Sequence, residues 1–252
     1  MSADPAWNHL VRELAARETP LRLWLRDDDA IQPTPALDKL LGLTATFSVP
    51  LTLAVIPGLT DERLAMAMPF HATPVIHGWK HTNHAPPTEK KQELGPHRPL
   101  HAVEHDLAAA LARMTDLHGD RLVRMLVPPW NRIRPDILPG LRNLGFEALS
   151  AFGPVALHPP LPVFNTQVDL IDWRGTRGCR NEAALISEVL ALAENPQPVG
   201  ILSHHLVHDE AAWAFLEKLF GLTRRFKTIR WLSAGDLIAA ASRPPTTLHG
   251  RA

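Results

Sequence analysis

Apolar positions recur at helical spacing through Ala6–Arg17, and the chain then passes into Leu21-Arg22-Leu23-Trp24-Leu25, an apolar run of strand length. This switch of period repeats along the sequence. After a proline-punctuated segment the pattern predicts a helix over Ala36–Leu43, then a buried strand over the β-branched and apolar Val49–Ile56, closed by Pro57-Gly58. Thr60 stands as N-cap before a helix from Asp61 to Met68, and Pro74–Ile76 reads as a short strand ending at His77. Helix His101–Leu117, strand Met125–Val127, helix Pro135–Leu144 stopped by Gly145, and strand Ala148–Ala151 follow. Helix Glu182–Glu194, strand Val199–Leu202, helix Glu210–Phe220 and a last short strand near Thr228–Leu232 complete the alternation. The expected fold is therefore α/β, a distorted (β/α) barrel with about seven parallel strands. No linker-like tract divides the 252 residues, so 1–252 is expected to be a single domain. The longest stretch without a periodic pattern, His84–Pro99, reads as a lid or substrate wall.

Composition narrows the function classes. Lys plus Arg (26) balance Asp plus Glu (26), which leaves no electrostatic footprint for nucleic acid or an anionic membrane and favours a small-molecule or glycan substrate. No apolar run has the length of a membrane span. Cys179 is the single cysteine, and Met-Ser-Ala-Asp-Pro-Ala-Trp has no basic segment followed by an apolar one, so a cytoplasmic location is expected. The apolar faces of Glu182–Glu194 and Glu210–Phe220 are read as core rather than as a dimer surface. Fourteen histidines raise both the prior for a metal site and the rate of chance pairs.

Candidate chemistry begins at Asp27-Asp28-Asp29, directly after the first apolar strand. Adjacent carboxylates repel one another, and a buried strand end holds them only where a cation or a proton-transfer task offsets the cost. His77 and His81 are spaced four apart, which on a helical turn places two imidazoles on one face, ready for one ion. The same spacing also arises by chance in so histidine-rich a chain. With an acid from a neighbouring strand the set becomes two His and one carboxylate with an open position. That is a catalytic site for one divalent metal ion, commonly zinc, with cobalt, nickel or manganese as substitutes, and a second carboxylate beside it would be the general base.

Further along, the strand Val199–Leu202 ends in His204, His205 and His208, of which His204 directly follows the strand and is the candidate general acid. Surface or helix-capping roles also fit these histidines. Asp172 beside Trp173 suits a carboxylate that orients a histidine, and equally a capping Asp beside a core aromatic. Paired prolines in Val127-Pro128-Pro129-Trp130-Asn131-Arg132 stiffen a turn that can hold the Trp130 N–H as an oxyanion donor, or simply make a rigid loop.

In this order the segments resemble the five motif regions of the polysaccharide deacetylase family, carbohydrate esterase family four, metal-dependent deacetylases on a distorted (β/α) barrel. Leu25-Arg-Asp-Asp-Asp29-Ala is similar to the family's T-F-D-D-G. This implies Asp28 as catalytic base and Asp29 as metal ligand, with Asp27 in place of an aromatic; a one-residue shift would make the pair Asp27 and Asp28. His77-Gly-Trp-Lys-His81 resembles H-S/T-x-x-H, with Gly78 where a hydroxyl is usual. Pro128-Pro-Trp130-Asn131 resembles R-P-P-Y-G, which implies the Trp130 amide as oxyanion donor. Val-Asp169-Leu-Ile-Asp172-Trp173 resembles V-D-x-x-D-W, with Asp172 holding the acid. Leu202-Ser-His204 resembles L-x-H, an acetyl-pocket wall and the general acid. Trp79 and Trp173 join Leu202 as expected substrate contacts, and Asp27, His84, Arg132 and His205 complete the candidate set. Val127 stands where the family has an arginine that pairs with the base, so that partner must come from Arg26, Arg124 or Arg132, or be lacking. The resemblance implies removal of acetyl from an N-acetylated sugar or glycan intermediate. Hydrolysis of another non-peptide C–N bond, such as a ureide or cyclic amide, and a catalytically silent carbohydrate-binding barrel are the alternatives.

Overall fold

Strands and helices alternate through residues 4–242, the part of the chain that the computed structural model describes; 1–3 and 243–252 lie outside it. The strands are β1 (Leu21–Ala30), β2 (Leu51–Val55), β3 (Ala72–His77), β4 (Met125–Val127), β5 (Ala148–Leu149), β6 (Val168–Asp169), β7 (Val199–Ser203) and β8 (Ile229–Leu232). The helices are α1 (Pro5–Ala16), α2 (Pro35–Phe47), α3 (Glu62–Ala67), α4 (Leu100–His118), α5 (Glu182–Ala193), α6 (Glu210–Thr223) and α7 (Ala234–Ala241). Every strand pair is parallel, in the order β5-β4-β3-β2-β1-β7-β6. Residues 163–169 then close the ring. They bridge to β5 and its extension at Leu149↔Val163 and Phe152↔Thr166, while β6 pairs with β7. The eighth strand stands outside this ring. Leu23 and Trp24 pair with both β7 and β8, so β8 continues the β2 side of β1 below β2. The molecule is thus a distorted (β/α) barrel with seven strands in its wall.

Local chemistry explains the element ends. Asp4, Thr34, Asn181 and Asp209 cap α1, α2, α5 and α6 by accepting backbone N–H bonds, and Pro5 and Pro35 sit in the first turn, where a missing N–H costs nothing. The cap of α3 is Asp61 rather than Thr60. The helix expected over Pro135–Leu144 is a 3₁₀ segment, Pro135–Gly140, because Pro139 cannot continue an α-helical ladder. Two elements, β6 and α7, were not expected from the pattern, and β1 runs five residues further than its apolar run.

Alternation along β1 sorts its side chains between two environments. Leu23 and Leu25 join the large core shared with helical residues such as Leu37, Leu40 and Phe215. Arg26, on the other face, is fully buried and reaches Ser150, just beyond β5, with Nη1 to Oγ at 2.6 Å. Trp24 shares that parity and packs where Gly200 leaves room: a Cβ there would lie 2.5 Å from Trp24 Nε1. Among the described residues no helix is long and apolar enough to cross a membrane.

Candidate active site

The three aspartates diverge. Asp28 has the parity of Arg26, and the two side chains meet, with Nη2 donating to Oδ2 at 3.0 Å and Nε lying 2.9 Å from Oδ1. Asp27 faces the opposite way and is fully buried. It accepts from Ser203 Oγ (2.6 Å) and the His205 amide (2.9 Å), and pairs with His205 Nδ1. Burial opposes charge on both partners, yet their mutual attraction lowers the Asp27 pKa and raises that of His205. Asp29 breaks the alternation. The β1–β2 register shifts between Asp27 and Ala30, and Asp29 takes a left-handed conformation with φ 74°, which aspartate tolerates better than most residues.

Asp29 Oδ1 meets His77 Nε2 at 3.2 Å and His81 Nε2 at 3.3 Å. His77 ends β3, and its Nδ1 lies 2.9 Å from the Val127 carbonyl, to which it donates; that directs Nε2 at the Asp29 carboxylate, where the imidazolium donates a hydrogen bond and the neutral ring presents a lone pair. Two lone pairs at this separation need a shared proton or a cation between them. Against burial, the His77 hydrogen bond and the charges of His77 and His81 hold the Asp29 carboxyl well below the usual range. Burial and the charge of His77 lower the His81 pKa against the pull of Asp29, Glu93 and Asp28, a shift toward the neutral imidazole that a ligand requires. One atom from each of the three lies within 4.8 Å of the others, so this donor set fits a divalent cation.

The expected helical turn from His77 to His81 is not formed. The segment is an irregular loop with left-handed Gly78 (φ 60°) and His81 (φ 56°), and it is this path that brings the two rings together with centroids 5.1 Å apart. A Cβ on residue 78 would lie 2.2 Å from Glu93 Oε2 and 2.5 Å from Pro129 Cγ, so a larger residue has no place there. Glu93 is buried and accepts from the amides of Trp79 (2.9 Å), Lys80 (2.8 Å) and Thr82 (3.2 Å). The 84–99 segment that carries it is tied down rather than free as a lid: Leu94 bridges to Ile133, and Arg132 and Arg134 donate to the carbonyls of Lys91 and Arg98.

Trp130 follows β4 in a left-handed conformation (φ 54°), and its ring lies 4.1 Å from that of His81. Asn131 Oδ1 accepts from Arg26 Nη2 at 2.7 Å. Of the three arginines expected near the base, Arg26 is therefore the partner; Arg124 is exposed and Arg132 bonds to the 84–99 segment.

His204 packs edge-on against Trp173 with centroids 4.7 Å apart, and its Nδ1 is buried without a hydrogen-bond partner. Asp172 does not hold it. That carboxylate accepts from the amides of Gly175 (3.0 Å) and Thr176 (3.2 Å) and shapes the 172–176 turn; it caps a turn rather than a helix, and the Trp173 beside it is exposed rather than in the core. Asp169 reaches the same tryptophan: it accepts from Trp173 Nε1 at 2.8 Å, and burial raises its pKa while the Ile171 amide acts in the other direction. Leu202 is buried, Trp79 is half-buried against the core and Trp173 is exposed at the rim. His84 lies outside the cation-binding trio, with its amide donating to the Gln92 carbonyl.

No family model and no curated protein matches the sequence. Solved structures match the fold. A Mycobacterium smegmatis protein assigned to the polysaccharide deacetylases superposes with a TM-score of 0.67 at 15% identity, over 94% of this chain and 96% of the other. Peptidoglycan deacetylase PdaC from Bacillus subtilis gives 0.57 at 14% identity over 89% and 93%. A family 4 acetyl xylan esterase from Clostridium thermocellum, in complex with a cobalt ion, gives 0.55 at 13% over 88% and 93%. At these identities the likeness is one of architecture, and the chain has the (β/α) barrel fold of the polysaccharide deacetylases.

Proposed function

We propose that the protein is a metal-dependent deacetylase that removes acetyl from an N-acetylated sugar or glycan intermediate. The observation that carries this reading is the convergence of Asp29, His77 and His81 beside the Asp28–Arg26 pair, at one mouth of a barrel shared with deacetylases and esterases. Asp29, His77 and His81 would hold one divalent ion, zinc or a substitute such as cobalt. When bound, such an ion polarises an acyl carbonyl and lowers the pKa of water from about 16 to about 7. Asp28, its oxygens oriented by Arg26, takes the proton of the attacking water. The Trp130 amide donates to the oxyanion that develops on the acetyl group. His204 protonates the departing amine, with Asp169 as its carboxylate neighbour. Leu202 lines the acetyl pocket, and Trp79 and Trp173 offer apolar faces to the sugar.

The Arg26 contact also weighs against a catalytically silent barrel, since it gives Asp28 the arginine partner that Val127 does not supply. The charge balance and lone Cys179 support a small or glycan substrate in a reducing compartment. Metal analysis of protein purified without chelator, with acetate release from a panel of N-acetylated sugars with and without zinc or cobalt, tests the proposal. Near-stoichiometric metal with metal-dependent acetate release supports it. Metal without acetate moves the reaction to another C–N bond, and absence of metal overturns it.

A further inference from the structure

We infer that Glu93 is a positioning residue for the cation site, the clasp that gives the loop between His77 and His81 its ligating shape. This rests on the reading of Asp29, His77 and His81 as a site for a divalent ion. The loop makes no helix and no strand, and it reverses through two left-handed residues, Gly78 and His81. A backbone of that kind needs partners for its amide donors away from regular ladders. One buried side chain supplies them, since the Glu93 carboxylate receives the N–H groups of Trp79, Lys80 and Thr82, on both sides of His81. Among the described residues no ion pair with a lysine, arginine or histidine forms at Glu93, so these amides are the groups that solvate its carboxylate. Asp29 and His77 are fixed by their own strands, whereas His81 depends on the loop. Glu93 therefore acts on the ion through His81, as a carboxylate outside the ligand set orients a ligand.

The test compares wild type, Glu93→Ala and Glu93→Gln for zinc affinity, by competition with a chromophoric chelator well below each protein's unfolding temperature. Glu93→Ala is expected to bind zinc about 10–100-fold more weakly while its far-ultraviolet circular dichroism is unchanged. Glu93→Gln, whose Oε1 can still accept from Lys80 and Thr82 while its NH2 cannot accept from Trp79, is expected to recover part of that loss. Wild-type affinity in folded Glu93→Ala, even with a lowered unfolding temperature, assigns Glu93 to stability alone and overturns the inference. A wild-type protein that binds no zinc overturns the reading of the site itself, and this inference with it. If Glu93→Ala does not fold, Glu93→Gln and amide exchange in the wild-type protein decide. Slow exchange at Trp79, Lys80 and Thr82 is required, and exchange at the rate of free loop amides overturns the clasp.

Discussion

Arg26 and Asp28 lie on the same face of one strand, two residues apart, and form a buried ion pair with Nη2 on Oδ2 at 3.0 Å. The guanidinium is held in turn by Ser150 Oγ, the Ala151 carbonyl and Asn131 Oδ1, so it bolts the carboxylate to the far wall of the barrel. Arg26→Met leaves a buried carboxylate without its partner and is expected to cost about 3–5 kcal/mol in denaturant unfolding. Arg26→Lys keeps the charge but loses the planar fork; kcat should fall about tenfold or more with little change in zinc affinity. Equal losses of turnover and zinc binding in Arg26→Lys would contradict this division of labour.

The divergence of the three aspartates predicts three different phenotypes. Asp28→Asn should reduce turnover by about 10²–10⁴-fold while binding metal normally. Asp29→Asn should lose metal and activity together. Asp27→Asn should weaken the fold by about 2–4 kcal/mol, through its bonds to Ser203 and His205, and still bind metal once folded. Activity in Asp28→Asn alongside a dead but metal-loaded Asp27→Asn would move the base by one residue.

At the same mouth of the barrel, the contacts of Asp169 and Asp172 separate two acids that look alike in the chain. Asp169→Asn should lower kcat about tenfold, because its carboxylate accepts from Trp173 Nε1 and so orients the ring against which His204 packs. Asp172→Asn, altering only a surface turn, should stay within about threefold of wild type. The reverse ranking would return Asp172 to the role its motif position suggests.

These contrasts show how far the sequence carries. Most strands were legible because burial and period act locally, and the barrel followed from their alternation with helices. Arg26 was harder to assign. Its pairing with Asp28 requires that β1 continue through four charged residues, and β1 does so because β2 and β7 hydrogen-bond to it there, a property of neighbours far along the chain. Glu93 carried no signal: in Lys90-Lys91-Gln92-Glu93 it reads as a solvated charge, and only the folded loop shows it buried against three amides. The His77–His81 pair was found for a reason that does not hold, since helical spacing suggested convergence and a left-handed loop produces it. Asp169 and Asp172 share one motif, and the strand pairing of the first and the different hydrogen-bond partners of the two separate them only in the fold.

Away from the site, His118 ends α4 almost completely buried, and neither ring nitrogen has a hydrogen-bond partner. Burial, with the Arg121 guanidinium alongside, pushes its pKa from 6.5 down to about 4. The unfolded chain therefore takes up a proton near pH 6.5 that the folded protein refuses until about pH 4. Stability attributable to this residue is complete above pH 6.5 and declines as the pH falls toward 4. At pH 5 the loss should be on the order of 1 kcal/mol, allowing for partial access of water to the ring. His118→Leu removes both the titration and the unpartnered nitrogens, so it should unfold at a higher temperature than wild type at pH 5, with a smaller advantage at pH 7.5. His208, which burial likewise pushes to about 4, titrates in both proteins, and its slope cancels in the comparison. Thermal unfolding of the pair at pH 7.5, 6 and 5 measures the difference directly. A gap between the two that does not widen on acidification would mean that His118 takes up its proton in the folded protein as readily as in the unfolded chain.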